Sequence, residues 1–336
     1  MVDENYKSSG VDLNFSENLT EKILSIVGKN NELEDLGFFS SSLKINNSIS
    51  ISGSVDGVGT KSKIFKYYGD YSNLGHDIVN HCVNDILPSG AKPFMFLDYL
   101  AFSEIEEEKI LDVVRGISEA CKDMSCILAG GETAQMPDIY KKDDLEVVGF
   151  ILGIVEKSKV PKINTIKEGD VMIGLPSNGL HTNGYSLVRK IFNFESNGGE
   201  LNKIVPGTNN SLGEMLTMPH KNYYHSIWGH LDKFKSIAHI TGGGISENVS
   251  RSIPENLKSN IDIKSWDIPK IFCYIKDKGS ISLKEMFKVF NMGIGMIIIV
   301  DPKFTDIALK TDKDSKIIGK IFNRSNNEEK VNIIGI

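Results

Sequence analysis

The stretch Ser48-Ile49-Ser50-Ile51-Ser52-Gly53-Ser54-Val55-Asp56-Gly57-Val58-Gly59-Thr60-Lys61 decides how this chain is read. Its first half alternates around Ile49 and Ile51, the period-2 signal of a strand with one buried face. Its second half is an acid, two glycines, a threonine and a lysine in six residues. Gly57 and Gly59 let backbone N–H groups approach an anion closely, and Lys61 adds a point charge for a phosphate. Asp56 offers the oxygen donor that magnesium prefers when it bridges to nucleotide phosphates. The spacing is not that of a P-loop. A purely structural turn is the competing reading.

Similar junctions recur outward from this point. On the amino-terminal side, Ser16 is placed as an N-cap before Leu19, Ile23, Leu24 and Ile26 at helical spacing, and residues 30–42 read as loop. On the carboxy-terminal side a helix is expected over 76–87, with Asn84 and Asp85 among Val83, Ile86 and Leu87. A strand over 94–101 carries Asp98, and a striped helix follows over 104–122. A short strand over 126–129 ends in Gly130-Gly131-Glu132-Thr133, a position where carboxylates line clefts in α/β folds. A strand over 147–155 closes this half.

After a polar connection, a strand over 171–175 meets Ser177-Asn178-Gly179-Leu180-His181-Thr182-Asn183-Gly184 and a helix over 184–194. Such loops aim N–H groups and a helix dipole at an anion, and His181 is a candidate acid, base or phosphate donor. Further helices are expected over 222–231 and 283–290. A strand over 237–240 runs into Thr241-Gly242-Gly243-Gly244 and another helix. Asn291 opens a glycine-spaced segment before the strand 296–300, and a last strand is placed near 317–322. Strands and helices intermix throughout, so the class is α/β or α+β. We divide the chain into residues 1–168 and 169–336.

The composition excludes several functions. The formal net charge of the 336 residues is −6, which argues against a broad nucleic-acid surface. The longest apolar run, Met296–Val300, is far below the ~20 residues of a membrane helix, so no membrane association is expected. The four cysteines carry no Cys-x-x-Cys pair and read as free thiols of a cytoplasmic protein.

Taken in order, these segments resemble the aminoimidazole ribonucleotide synthetase, or phosphoribosylformylglycinamidine cyclo-ligase, family. Asp56–Lys61, Cys82–Asp85, Phe96–Tyr99, Gly130–Thr133 with Met136-Pro137, Gly179–Lys190, His239–Gly244 and Phe290–Met296 carry the match, and Tyr6-Lys7 and Gly10-Val11-Asp12 agree. The resemblance implies an amino-terminal four-stranded half-barrel that dimerises into an eight-stranded barrel, beside a carboxy-terminal α/β domain. It implies ATP-dependent cyclisation of formylglycinamidine ribonucleotide by a homodimer. It assigns Asp56, Asp85 and Glu132 to Mg2+. ATP goes to Gly57, Gly59, Thr60, Lys61, Asn84, Gly130, Gly131 and Thr133 with those acids. The ribonucleotide goes to His181, Thr182, Asn183, Gly184, Thr241, Gly242, Gly243, Gly244 and Asn291. Asp98 and His181 are the proton-transfer candidates.

The chain departs from the family pattern at several points. Residues 36–42, usually a glycine-rich lid, contain one glycine here. Leu24 stands where relatives have a lysine, and Lys221 where an arginine is common. Gln135 replaces a glutamate, and Lys141-Lys142 replaces a His-Gly pair. A selenophosphate-synthetase-like or thiamine-monophosphate-kinase-like enzyme, or a non-catalytic nucleotide-binding relative, is the alternative.

Overall fold

The structure is a computed structural model describing residues 6, 9–27, 33–34, 39–47, 49–196 and 198–336. Helix α1 (Leu13–Val27) starts three residues before Ser16, so that serine lies inside the helix rather than capping it. Part of the presumed lid, residues 36–38, lies outside the described residues.

The first sheet is built from β1 (Leu33–Glu34), β2 (Ser41–Lys44), β3 (Ser50–Gly57), β4 (Ala91–Phe102), β5 (Ile127–Gln135) and β6 (Leu145–Val155), in the order β1-β2-β3-β6-β4-β5. It therefore has six strands where four were expected, the extra two being a short edge. Only β4 and β5 run parallel. After β3 come α2 (Ser62–Phe65) and α3 (Ser72–Ile86), and α4 (Glu107–Asp123) links β4 to β5. Helices α3 and α4 cross where neither chain has a side chain. A Cβ on Gly75 would lie 2.2 Å from Val113 O, and one on Gly116 would lie 1.9 Å from Ser72 O.

Strand β6 alternates strictly. Val147, Gly149, Ile151 and Gly153 face the helices, while Phe150 and Ile154 face outward and are exposed. Cross-strand register then puts Val55, Phe150, Leu97, Leu152, Met95 and Ile127 on one outer face. Val55 is 65% exposed and Ile127 58%, so this outer face carries apolar side chains open to solvent.

The second sheet contains β7 (Val171–Pro176), β8 (Phe234–His239), β9 (Leu257–Asp262), β10 (Ile294–Val300), β11 (Lys316–Asn323) and β12 (Val331–Ile334), ordered β12-β9-β11-β7-β10-β8. Strands β9 and β12 were not anticipated. Lys258, Asn260 and Asp262 interrupt the apolar residues of β9, and β12 is only four residues long with Asn332 inside it. Helices α5 (Tyr185–Phe192), α6 (Leu212–Thr217), α7 (Tyr224–Ile227), α8 (Gly244–Arg251), α9 (Lys270–Gly279), α10 (Leu283–Val289) and α11 (Thr305–Leu309) complete the chain. The expected helix over 222–231 is the single turn α7 followed by 3-10 structure.

The two faces of this sheet enter different cores. Val171, Ile173, Leu175, Met296, Ile298 and Val300 join the core under the first sheet. Met172, Ile297 and Ile299 join the core formed with α5, α8, α9 and α10. The period-2 side-chain alternation of β7 and β10 thus binds the two halves of the molecule together.

Candidate active site

A polar stripe on α3 organises the site. Asp77, Asn80, His81, Asn84 and Asp85 recur at i, i+3, i+4, i+7 and i+8, so they share one helix face. That face grips the segment 218–223 of the second half. Asp77 Oδ1 accepts the His220 N–H at 2.7 Å, and Asn80 Nδ2 donates to His220 O at 2.8 Å. Asn84 Nδ2 donates to Lys221 O at 2.8 Å and its Oδ1 accepts the Tyr223 N–H at 3.1 Å. Buried polar groups persist only when partnered in this way.

His81 is the centre of the arrangement. Its Nε2 stands 3.0 Å from Asp56 Oδ2 and 3.9 Å from Asp85 Oδ2, and its Nδ1 lies 2.9 Å from Thr182 Oγ1. Burial pulls the imidazole pKa down. The Asp56 and Asp85 carboxylates outweigh that and push it up to about 9, so His81 is charged at neutral pH. Burial alone would raise Asp56, but His81 and the Gly57 amide hold its carboxyl below the usual range. Once imidazolium N–H groups serve Asp56 and Thr182, the Thr182 hydroxyl proton is free to donate elsewhere.

A cavity of about 420 Å³ opens beside this pair. The first half lends it Asp56, Gly57, Gly59, Thr60 and His81; the second lends Thr182, Asn183, Gly184, Thr241 and Gly242. Gly184 (φ 83) opens α5 in the left-handed region, so α5 starts with its free N–H groups at the cavity. Gly242 precedes the left-handed pair Gly243 (φ 84) and Gly244 (φ 64) that starts α8. A Cβ on Gly244 would meet Phe287 O at 2.1 Å, so Gly243 and Gly244 serve the turn and its packing.

Several expected site residues lie elsewhere. Lys61 is fully buried, with Nζ 2.7 Å from Asp77 and 2.8 Å from Met218 O. Its ammonium is thus a buried tie and not a phosphate contact, because turning it outward would strand Asp77. Asn84 is likewise spent on residues 221–223. His181 is buried in the left-handed region (φ 61), accepts the Asn178 N–H on Nε2 at 3.1 Å, and stacks on His220. Burial first, and then the neighbouring His239, Lys61 and His81, hold its pKa well below the usual value. It shapes the loop and does not reach the cavity. A Cβ on Gly295 would lie 2.4 Å from its ring, so the glycine makes its seat. Asn291 accepts from Ser177 Oγ at 3.0 Å and donates to Gly179 O at 2.8 Å, which ties two loops together.

Of the three acids, Asp56 and Asp85 both flank His81, and Glu132 does not join them. Asp85 accepts from Ser54 Oγ at 3.1 Å and pairs with His239 Nδ1 at 2.7 Å. Gly130, Gly131, Glu132 and Thr133 are not a turn after a strand; they lie within β5, in register with Leu97 to Leu100. Asp56, Gly149, Asp98 and Gly131 form one cross-strand row on the helix side. Strand spacing puts Glu132 roughly 14 Å from Asp56, on the opposite face, and Asp98 about 10 Å away and outside the cavity. Asp98 is half-buried, and burial raises its pKa. The site residues that sequence reading missed are His81 and Asp77, both visible in the helical spacing of the α3 polar stripe.

Among the described residues, His81, Asp85 and His239 are the group with metal-ligating atoms close together. Asp85 is already engaged by His239 Nδ1 at 2.7 Å, and His81 Nε2 by Asp56 at 3.0 Å. The carboxylate that opens onto the cavity is Asp56, whose side chain is 41% exposed. A hard cation that keeps most of its water fits this single oxygen donor better than it fits the buried histidines.

Fold and site together define a class. Residues 40–155 match the AIR synthase related protein N-terminal domain and residues 167–332 its C-terminal domain. Three solved structures share the fold, each under 20% identical. A HypE–HypF complex has a TM-score of 0.64 over 94% of this chain and 96% of that chain, at 16% identity. A ThiL complexed with AMPPCP and TMP has 0.66 over 95% and 93%, at 15% identity. T. maritima PurL complexed with ADP has 0.56 over 85% and 42%, at 13% identity.

Curated relatives narrow the class. The phosphoribosylformylglycinamidine cyclo-ligase of Thermoanaerobacter pseudethanolicus is 44% identical, covering 91% of this chain and 93% of its own length. Those of Oceanobacillus iheyensis (41% identical, 95% and 97% covered) and Lawsonia intracellularis (40%, 97% and 97%) bear the same name. The chain belongs to the phosphoribosylformylglycinamidine cyclo-ligase family.

Proposed function

We propose that this enzyme closes the imidazole ring of aminoimidazole ribonucleotide from formylglycinamidine ribonucleotide, converting ATP to ADP and phosphate. The observation that carries this reading is the shared cavity. Asp56 and the Gly57–Thr60 turn from one half face the Thr182–Gly184 and Thr241–Gly242 loops from the other. Such a cavity brings a triphosphate and a ribonucleotide together, and their approach supplies most of the rate.

The chemistry follows from the leaving group. An amide oxygen leaves poorly. Transfer of the γ-phosphoryl group onto the formyl oxygen gives an iminophosphate, the ring-closing nitrogen attacks that carbon, and phosphate departs. We assign the backbone N–H group at Gly59 and the Thr60 hydroxyl to the triphosphate, the Gly57 N–H being held by Asp56 Oδ1 at 2.6 Å. Asp56 would hold the accompanying Mg2+, which neutralises phosphate charge when bound. Thr182, Asn183, Gly184, Thr241 and Gly242 take the ribonucleotide. His81 stays protonated, fixes Asp56 and orients Thr182; with His181 turned away, no proton is routed through the latter.

The exposed apolar face of the first sheet fits pairing with a second copy, with residues 1–168 forming the dimerising unit and 169–336 the other. Closure of the half-barrel by that copy would cover Val55 and Phe150 and bury an otherwise open sheet face. A cytoplasmic homodimer is the assembly we propose. The test of function is direct: purified protein with Mg2+, ATP and formylglycinamidine ribonucleotide yields ADP, phosphate and aminoimidazole ribonucleotide. ATP loss with the ribonucleotide left open would move the assignment to a kinase of the same fold.

A further inference from the structure

Tyr6 forms part of the cavity wall beside Asp56, Thr60, Thr182 and Gly184. It is anchored from three sides. Its N–H donates to Glu285 Oε1 at 2.9 Å, on α10. Its carbonyl accepts the Ser9 N–H at 3.1 Å, the Ser9 hydroxyl at 2.7 Å and the Val11 N–H at 3.2 Å. Its ring packs on the second core, and the Gly184 backbone N–H faces the phenol oxygen.

Glu285 is diverted to make the first of these contacts. In α6, Glu214 and Ser211 close a reciprocal capping box. In α10, Ser282 caps the Glu285 N–H in the same way at 3.2 Å, and Glu285 aims a carboxylate oxygen at Tyr6. A charge-assisted bond spanning 279 residues fixes the amino-terminal segment against the far half of the molecule.

The segment also crosses a junction. A second cavity of about 500 Å³ is lined by Ser9, Lys63 and Arg189 and shares Thr60 and Ser186 with the first. The Thr60 and Ser186 hydroxyls lie 3.0 Å apart on the ridge between them. Tyr6 lines the first cavity and Ser9 the second, one on each side of that ridge.

We propose that Tyr6 is a positioning residue for the ribonucleotide, its ring walling the cleft at the start of α5 and its bond to Glu285 latching the segment in place. This rests on the ribonucleotide reading given above. On binding, the phenol yields the Gly184 N–H to an anionic oxygen of the phosphorylated sugar and donates its own proton to that ligand. An ordinary phenol is protonated at neutral pH, and burial here raises its pKa further, so the donor is present.

Steady-state kinetics on the full-length Tyr6→Ala, Tyr6→Phe and Glu285→Gln enzymes test this. Tyr6→Ala is expected to raise KM for the ribonucleotide by about tenfold, with KM for ATP within about twofold. Tyr6→Phe and Glu285→Gln should move the same constant less, since the ring or a weaker acceptor remains. An unchanged ribonucleotide KM in Tyr6→Ala overturns the proposal. So does a joint rise of both KM values with a lowered Tm, which marks a merely structural role. Amide exchange over residues 6–12 of wild-type protein needs no turnover: slowing by aminoimidazole ribonucleotide but not by ADP supports the latch, and no slowing by either refutes it. A wild-type enzyme that makes no ring product refutes the functional reading instead.

Discussion

His239 Nδ1 lies 2.7 Å from Asp85 Oδ1, so the last residue of β8 is bonded to α3 across the two halves of the chain. His239 Nε2 in turn lies 3.0 Å from His220 Nε2, on the segment that α3 already grips. Burial lowers the His239 pKa, although Asp85 opposes it, and a neutral ring can donate to Asp85 while accepting from His220. His239→Ala removes the donor and leaves Asp85 short of a partner. It should cost roughly 3 kcal/mol of stability, read as a lower urea midpoint, with turnover falling as His81 loses its fixed neighbours. An unchanged midpoint would show that the contact holds nothing together.

Lys61 and Asp77 form a fully buried pair. Lys61→Met should destabilise the fold by roughly 3–5 kcal/mol, because Asp77 is left buried and unpaired. At a temperature where the variant is folded, KM for ATP should be close to wild type. A large rise in that KM with normal stability would return Lys61 to the nucleotide.

His81 makes stability depend on pH. Its folded pKa of about 9 exceeds the unfolded value near 6.5. The stabilisation it brings is complete below pH 6.5 and is lost as pH rises toward 9. His181, His220 and His239 have lowered pKa values, so their effect lies below pH 6.5 and leaves this window clear. The urea midpoint of wild type should therefore fall between pH 6.5 and 8, where that of His81→Gln stays flat. Parallel curves would remove His81 from the charged state.

Phe150 stands on the outer apolar face, in register with Val55 and Leu97. Phe150→Asp would place a charge in the proposed dimer contact and should convert the protein to monomer in sedimentation. A monomeric wild type, or a variant that still dimerises, would detach this face from assembly.

Much of the fold was legible because each key junction writes itself locally. Ile49 and Ile51 give the strand period, and Gly59, Gly184 and Gly243 mark where backbone must turn. What was hidden is tertiary. Lys61 reads as a phosphate ligand only until Asp77 claims it from sixteen residues away. Glu132 reads as a loop acid because β5 continues past Ala129 by pairing with β4, although its own residues are glycines and a threonine. His181 reads as catalytic because its stacking on His220 depends on contacts far apart along the chain.

The most direct test of the central claim is the fate of one oxygen atom. With Mg2+ and ATP, substrate labelled with 18O at the formyl oxygen should place one label in the released phosphate per ring closed, since that oxygen accepts the γ-phosphoryl group. Ring closure with unlabelled phosphate, and the label lost to water, would contradict it.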